Sequence, residues 1–158
     1  MRKLKILALT VLAGVSALIA APQLAVFYVN NYVPGVHARL AQINLLDLNL
    51  TFYDVTVNKE YINADIDKVK VYPNKDIYIY AINTNINYKQ ENASEKKSNI
   101  KLFHSNYISI VKNDTSLVGT NLTLKNGIYN IESGKINYKN NIIDFKLLTI
   151  NNGRIHID

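Results

Sequence analysis

Leu122-Thr123-Leu124-Lys125-Asn126-Gly127-Ile128-Tyr129-Asn130-Ile131 is answered 26 positions later by Leu148-Thr149-Ile150-Asn151-Asn152-Gly153-Arg154-Ile155-His156-Ile157. Both copies read Leu-Thr-aliphatic-x-Asn-Gly-x-(Tyr/Ile)-x-Ile: an alternating strand, an Asn-Gly corner and a second alternating strand. Asn-Gly suits a type I′ turn because both central residues need positive φ, and Asn and Gly reach it at least cost. A repeated hairpin predicts an antiparallel meander in the C-terminal half.

Upstream of it the period is also two. Leu46, Leu48, Leu50 and Phe52 alternate with Asp47, Asn49 and Thr51, which predicts a half-buried strand. At Tyr53-Asp54 the phase slips, and Val55 and Val57 continue on the other parity. Ile62, Ala64 and Ile66 give way in the same manner to Val69 and Val71. A one-residue slip turns every later side chain to the other face unless a bulge absorbs it, so a bulge or break is expected at each. Ile77 to Tyr88 is the longest strand candidate, with Tyr78, Tyr80, Ile82, Thr84, Ile86 and Tyr88 expected on one continuous face. Gln90 to Asn99 is polar without periodicity and reads as an exposed loop dividing the sheet. Beyond it, Ile100–Phe103, Tyr107–Val111, Leu117–Leu124, Ile128–Ile131, Lys135–Tyr138, Ile142–Ile150 and Arg154–Ile157 are strand candidates. Turns are expected at Asn113-Asp114, Asn126-Gly127, Ser133-Gly134, Asn140-Asn141 and Asn152-Gly153. The fold class is all-β, an antiparallel meander of short hairpins, either an open twisted sheet or one folded over in a β-taco or sandwich-like form.

The N-terminus differs in kind. Residues 1–5 are basic, and 6–29 are apolar with few interruptions. As a helix those 24 residues span about 36 Å, against roughly 30 Å of bilayer hydrocarbon. The positive-inside rule places the N-terminus in the cytoplasm and the remainder outside. A cleaved signal peptide near Ala20 or Ala21 is the competing reading, weakened by Leu18 or Ile19 at the −3 position. Residues 30–42 are expected to be a linker, with Val36 to Gln42 as one or two helical turns, leaving 43–158 as the β domain.

Net charge is +6. Arg2, Lys3 and Lys5 supply half, and the other 15 basic residues nearly balance 12 acidic ones. Nucleic acid binding, which needs a clustered basic face, is not expected. There are no cysteines, which removes disulfides, thiolate metal sites and a Cys nucleophile and suits a bacterial envelope domain held by its core. His37, His104 and His156 lack metal-ligand spacing. Asp65-x-Asp67 shares one strand face with Asn63 and reads as solvated. With no phosphate loop, nucleophile elbow or zinc signature, no catalytic, cofactor-binding or metal-ligating residue is assigned, and an enzyme is not expected.

An N-terminal anchor, a Pro-Gly segment and the run Ile43-Asn44-Leu45-Leu46-Asp47-Leu48-Asn49-Leu50-Thr51-Phe52-Tyr53-Asp54-Val55-Thr56-Val57 together resemble the start of AsmA-like proteins. Tyr61 to Val71 is similar to their second strand, and the Leu-Thr-aliphatic-x-Asn-Gly repeats to their repetitive sheet. The resemblance implies a single-pass bacterial inner-membrane protein with a periplasmic sheet, offering an apolar groove in phospholipid transport or outer-membrane homeostasis. This chain is far shorter than members that bridge the periplasm. The apolar residues expected to face lipid or a partner are Leu46, Leu48, Leu50, Phe52, Ile62, Ile66, Tyr78, Tyr80 and Ile82. Expected partners are the membrane, phospholipid, and a protein or second copy at the C-terminal edge strand. A structural or adaptor subunit of an envelope or secretion assembly is the alternative.

Overall fold

The computed structural model describes residues 2–87, 99–139, 141–151 and 153–158, with side chains from Thr10 onward. Helix α1 (Arg2–Tyr32) is followed by β1 (Val36–Asn44), β2 (Asn49–Lys59), β3 (Ile62–Val71), β4 (Ile77–Asn87), β5 (Ile100–Lys112), β6 (Thr115–Lys125), β7 (Ile128–Tyr138), β8 (Asn141–Asn151) and β9 (Arg154–Ile157). They form one nine-stranded sheet in sequence order. Neighbours are antiparallel except β4 and β5, which are parallel. A tight hairpin cannot join parallel strands, and the long connection between Asn87 and Ile100 returns the chain to the other end of the sheet. Most of the expected loop, 90–98, lies outside the described residues.

Among the described residues α1 meets the sheet's apolar face near its C-terminal end, where Val29 packs against the β1–β4 cluster, and the open sheet bends across its own strands. A line of residues lacking a ladder partner crosses it: Arg39, Asp54, Asp67, Ile82, Asn106, Asn121, Ser133 and Lys146. Three of them, Asp54, Asn121 and Ser133, have φ of 49°, 52° and 35°, a left-handed conformation that Asn and Asp tolerate better than most residues. At this crease each strand changes the parity of its inward side chains. Phe52 and then Val55 and Val57 point inward on β2. Ile79 and Ala81, then Thr84 and Ile86, do so on β4.

The two expected slips, at Tyr53-Asp54 and before Val69, are this crease in β2 and β3. Elsewhere it corrects the sequence reading. The even positions of β4 are not one face, because Ile82 interrupts them. Ser133-Gly134 is no hairpin turn, since β7 passes straight through it, and β5 likewise joins two segments read as separate.

Both core clusters draw on the two sides of the crease. One unites Ala38, Val55, Ala64, Ile66 and Ala81 of β1–β4, and the other unites Ile108, Leu122, Ile131, Phe145 and Leu148 of β5–β8. Phe103 packs against both. Between them, the fully buried Ser105 hydroxyl donates to the Tyr107 carbonyl at 2.7 Å across the crease. Its proton is thereby committed, so the 2.9 Å contact with Thr84 has Thr84 as donor. Gly119 and Gly134 face each other under Phe145. A Cβ on Gly134 would lie 2.2 Å from the Val118 carbonyl oxygen.

The expected linker at 30–42 is absent. Residues 30–32 complete α1, and Val36–Asn44 is a strand, not helical turns. Val36, Leu40 and Ile43 fall at i, i+4 and i+7, which mimics a helical face, because the unpaired Arg39 shifts the true alternation. Asn30 ties helix to strand: its carbonyl oxygen accepts from the Ala38 N–H at 2.7 Å and its amide donates to the Ala38 carbonyl at 3.0 Å. That side chain takes the place of a neighbouring strand at the sheet's first edge.

Two outcomes follow from the crease. Asp54→Val forces a β-branched residue into φ 49° and should cost about 1–3 kcal/mol, whereas Asp54→Gly keeps the conformation and loses only the exposed pair with Arg39, about 0–1 kcal/mol. Gly134→Ala, which must displace backbone, should cost about 2 kcal/mol or more. Urea denaturation of the detergent-solubilised chain measures all three; equal stability of the two Asp54 variants would refute the left-handed crease.

Candidate functional site

The expected lipid-facing residues do not form one surface. Leu46 and Leu48 are not in a strand but in the β1–β2 turn, 97% and 65% exposed. The Asn44 side-chain oxygen accepts from the backbone N–H groups of Leu46 and Asp47 at 3.0 and 3.2 Å, and its amide donates to the Asp47 carboxylate at 3.1 Å. This local bonding captures the chain before alternation can begin. Phe52 packs against the β1–β4 cluster and Ile66 lies within it. Ile62 is exposed at the start of β3. Tyr78 and Tyr80 are half-buried on the outer face, Tyr78 edge-on to Tyr72 and Tyr80 beneath the Lys68 ammonium. Ile82 is exposed at the crease.

What the fold does bring together is Leu48 and Leu50. With Ile43, Asn49, Val71, Tyr72 and Pro73 they line a cavity of about 350 Å³ where the β1–β2 and β3–β4 turns meet. Ile43, Leu50, Val71 and Ile77 are successive cross-strand partners, one row beyond the Phe52, Val69 and Ile79 that pack against the core. The cavity is thus a shallow depression at the end of that inward row. Its wall is apolar with one exception. Asn49 is 3% exposed, and its oxygen accepts the Thr51 hydroxyl at 2.6 Å, while its Nδ2 has no partner. A buried donor without an acceptor costs about 1–3 kcal/mol. The mouth therefore offers an apolar wall, which fits a hydrocarbon chain; the Asn49 Nδ2 is shut away from solvent and is not presented to it.

Sequence reasoning missed Asn49, Ile43, Val71, Tyr72 and Pro73. Leu50 was visible through alternation, but Asn49 read as a solvated outward residue. Tyr72 and Pro73, which line the cavity with it, are distant in sequence.

The remaining polar groups do not converge. His37 and Asp65 border a separate outer-face depression of about 500 Å³ with Thr56, Asn58, Asn63 and Asn85. His104 contacts Thr123 and Asn106, and His156 lies 3.1 Å from the Asp158 carboxylate at an exposed position. The exposed Tyr61 phenol is held above its ordinary pKa by a hydrogen bond to Glu60 and by that carboxylate's charge. Among the described residues, no three His, Asp or Glu side chains gather as metal ligands would. No protein family, curated protein or solved structure matches the chain.

If Asn49 is kept for binding and not for stability, its replacement together with its partner should not harm the fold. The double variant Asn49→Leu with Thr51→Val removes both polar groups and should be neutral, or more stable by about 1–2 kcal/mol. Chemical denaturation checks this, and a loss of stability would mean that the pair is structural.

Proposed function

We propose that the chain is a membrane-anchored β-sheet module, non-enzymatic, which shields acyl chains of envelope lipids at the mouth of its folded sheet. In this reading α1 stays in the inner membrane and the sheet stands in the periplasm, in the manner that the AsmA-like resemblance implies. The observation that carries it is the apolar wall of the mouth, formed by Ile43, Leu48, Leu50 and Val71. At about 350 Å³ it is at the small end of ligand pockets, which run roughly 300–1,000 Å³, and suits part of an acyl chain better than a whole lipid. Thr10–Tyr32 is long and apolar enough to cross a membrane. The mechanism is passive: hydrocarbon is withdrawn from water along Ile43, Leu50 and Val71 while the polar head stays solvated.

A second reading, an adaptor, has its own support. Arg154–Ile157 is exposed throughout, and among the described residues no strand pairs with its outer side. Asn30 guards the β1 edge, but β9 leaves its edge open to an added strand.

Photo-crosslinking residues at Leu48, Tyr72 and Ile155 of the full chain, in native membranes, tests both. Phospholipid adducts at Leu48 and Tyr72, with none at Ile155, are the expected result. Adducts only to protein, and only at Ile155, would replace the lipid reading with the adaptor.

A further inference from the structure

The backbone groups along β9 fall into two sets. Asp158 exchanges bonds with Leu147, its N–H donating at 2.9 Å and its carbonyl accepting at 3.3 Å. In an antiparallel ladder such pairs recur at every second residue, so Arg154, His156 and Asp158 turn their backbone groups toward β8. Ile155 and Ile157 turn theirs outward, where among the described residues no strand meets them. The side chains divide in the same way. Ile155 and Ile157 stand opposite Ile150 and Leu148. Leu148 belongs to the core, so both isoleucines lie on the apolar face. One ends a cross-strand row of Tyr129, Ile150 and Ile155, the other a row of Ile131, Leu148 and Ile157, yet they are 65% and 42% exposed. Arg154, His156 and Asp158 share the opposite face, where the His156 ring meets the Asp158 carboxylate.

An edge that carries unpaired backbone groups and the open end of an apolar face accepts another strand. At the other edge of the described sheet, Asn30 holds the Ala38 groups and α1 packs against β1. Edge pairing between two copies therefore joins β9 to β9, which closes as a two-fold dimer and does not propagate. Antiparallel pairing keeps both apolar faces on one side. With Ile155 opposite Ile157 of the second copy, the outward backbone groups of both residues are satisfied, each pair exchanging both its bonds. The two-fold axis then passes between the two copies of His156, which face each other as a non-hydrogen-bonded pair. Arg154 falls opposite Asp158 of the second copy, and opposite charges facing across strands are favourable. The row of Ile131, Leu148 and Ile157 runs on into Ile155, Ile150 and Tyr129 of the second copy, so both apolar rows are continued. Sliding the pair by one repeat of the ladder loses this match. One slide opposes Ile155 to itself and sets Arg154 against His156. The other opposes Ile157 to itself and carries Arg154 beyond the shared stretch.

We infer that two copies of this chain pair through β9, antiparallel about a two-fold axis at His156, to form one continuous sheet. The inference rests on the adaptor reading of β9, whose partner it names, and is independent of lipid at the mouth. The occupant is a second copy because the strand carries its own complement: isoleucine against isoleucine on the apolar face, Arg154 against Asp158 on the other. A pairing of 4-residue strands falls short of the roughly 1,200–2,000 Å² that stable interfaces bury, so the dimer is a reversible one.

The chain has no cysteine, so single substitutions report the register. The full chain carrying His156→Cys, Ile155→Cys, Ile157→Cys or, as a collision control in the β2–β3 turn, Glu60→Cys is oxidised in native membranes with copper phenanthroline and resolved on non-reducing gels. Because β9 is exposed throughout, its substitutions leave the core intact. The facing 156 positions have Cα atoms about 4.5 Å apart, within disulfide reach, whereas 155 meets 155, and 157 meets 157, only at roughly 9 Å. His156→Cys should therefore form disulfide dimers roughly fivefold faster or more than the other three. Adding Arg154→Asp to His156→Cys should cut the dimer fraction roughly threefold, and adding Asp158→Arg as well should restore it. Equal rates at all four positions would overturn the pairing. Faster reaction at 155 or 157, or no rescue by the charge swap, would overturn the register on which the inference stands. Photo-adducts from Ile155 to a different protein, without disulfide dimers at 156, would overturn the dimer and leave the adaptor reading standing. Neither adducts nor dimers would overturn both.

Discussion

One constraint governs this structure: among the described residues a helix meets the apolar face of the single sheet only near Val29, so the sheet must bury most of that face by its own bend. Flat, it would leave one row of Ile, Val, Leu and Phe in water for each strand. It therefore folds across its strands, and a fold across strands works only if every strand breaks its ladder along one line. Asp54, Asn121 and Ser133 supply left-handed residues on that line. The parity change at the line keeps apolar side chains inward on both sides, as Phe52 with Val55 and Ala81 with Thr84 show. The narrow seam explains the small residues beside it. Ala38, Ala64, Ala81, Ser105 and the Gly119–Gly134 pair sit where the two sides come closest.

The bend buries the middle of the sheet and leaves its ends more exposed. At the end formed by the β1–β2 and β3–β4 turns, the inward row Ile43, Leu50, Val71 and Ile77 has less to pack against, and a cavity results. Beside it the Asn49 Nδ2 is buried without a hydrogen-bond partner. The edges are treated differently. The helix-borne Asn30 occupies the hydrogen-bonding groups of Ala38 on β1, whereas β9 offers its outer edge. The two proposed occupants, lipid at the mouth and protein at the β9 edge, would be compatible, because the two places lie at different parts of the sheet.

The helix, the first strand and the leucine turn act as a unit. The Asn30–Ala38 bonds fix the end of α1 against β1, and the Asn44 side chain fixes the turn at the strand's far end. The end of α1 and the first strand are joined by backbone-directed hydrogen bonds from Asn30.

Some of this was legible in the residues alone. Period-two alternation and Asn-Gly corners determine an all-β hairpin fold, because side chains alternate faces and few residues accept positive φ. The slips at Tyr53-Asp54 and before Val69 located the crease in β2 and β3, since there apolar parity visibly changes. In β4 it was hidden: Tyr78, Tyr80 and Ile82 keep even parity on the outer face, and Thr84 and Ile86 keep it on the inner one, so no change of pattern marks the turn of the surface. Ser133-Gly134 read as a hairpin because left-handed bulges and turns draw on the same residue types. Strand β1 read as helix because Arg39 broke its alternation. The parallel pairing of β4 with β5, the burial of Asn49 and the isolation of Leu46 depend on which distant segments come together. Alternation records only which side of its own strand a residue takes; where that side faces is decided when the sheet folds over.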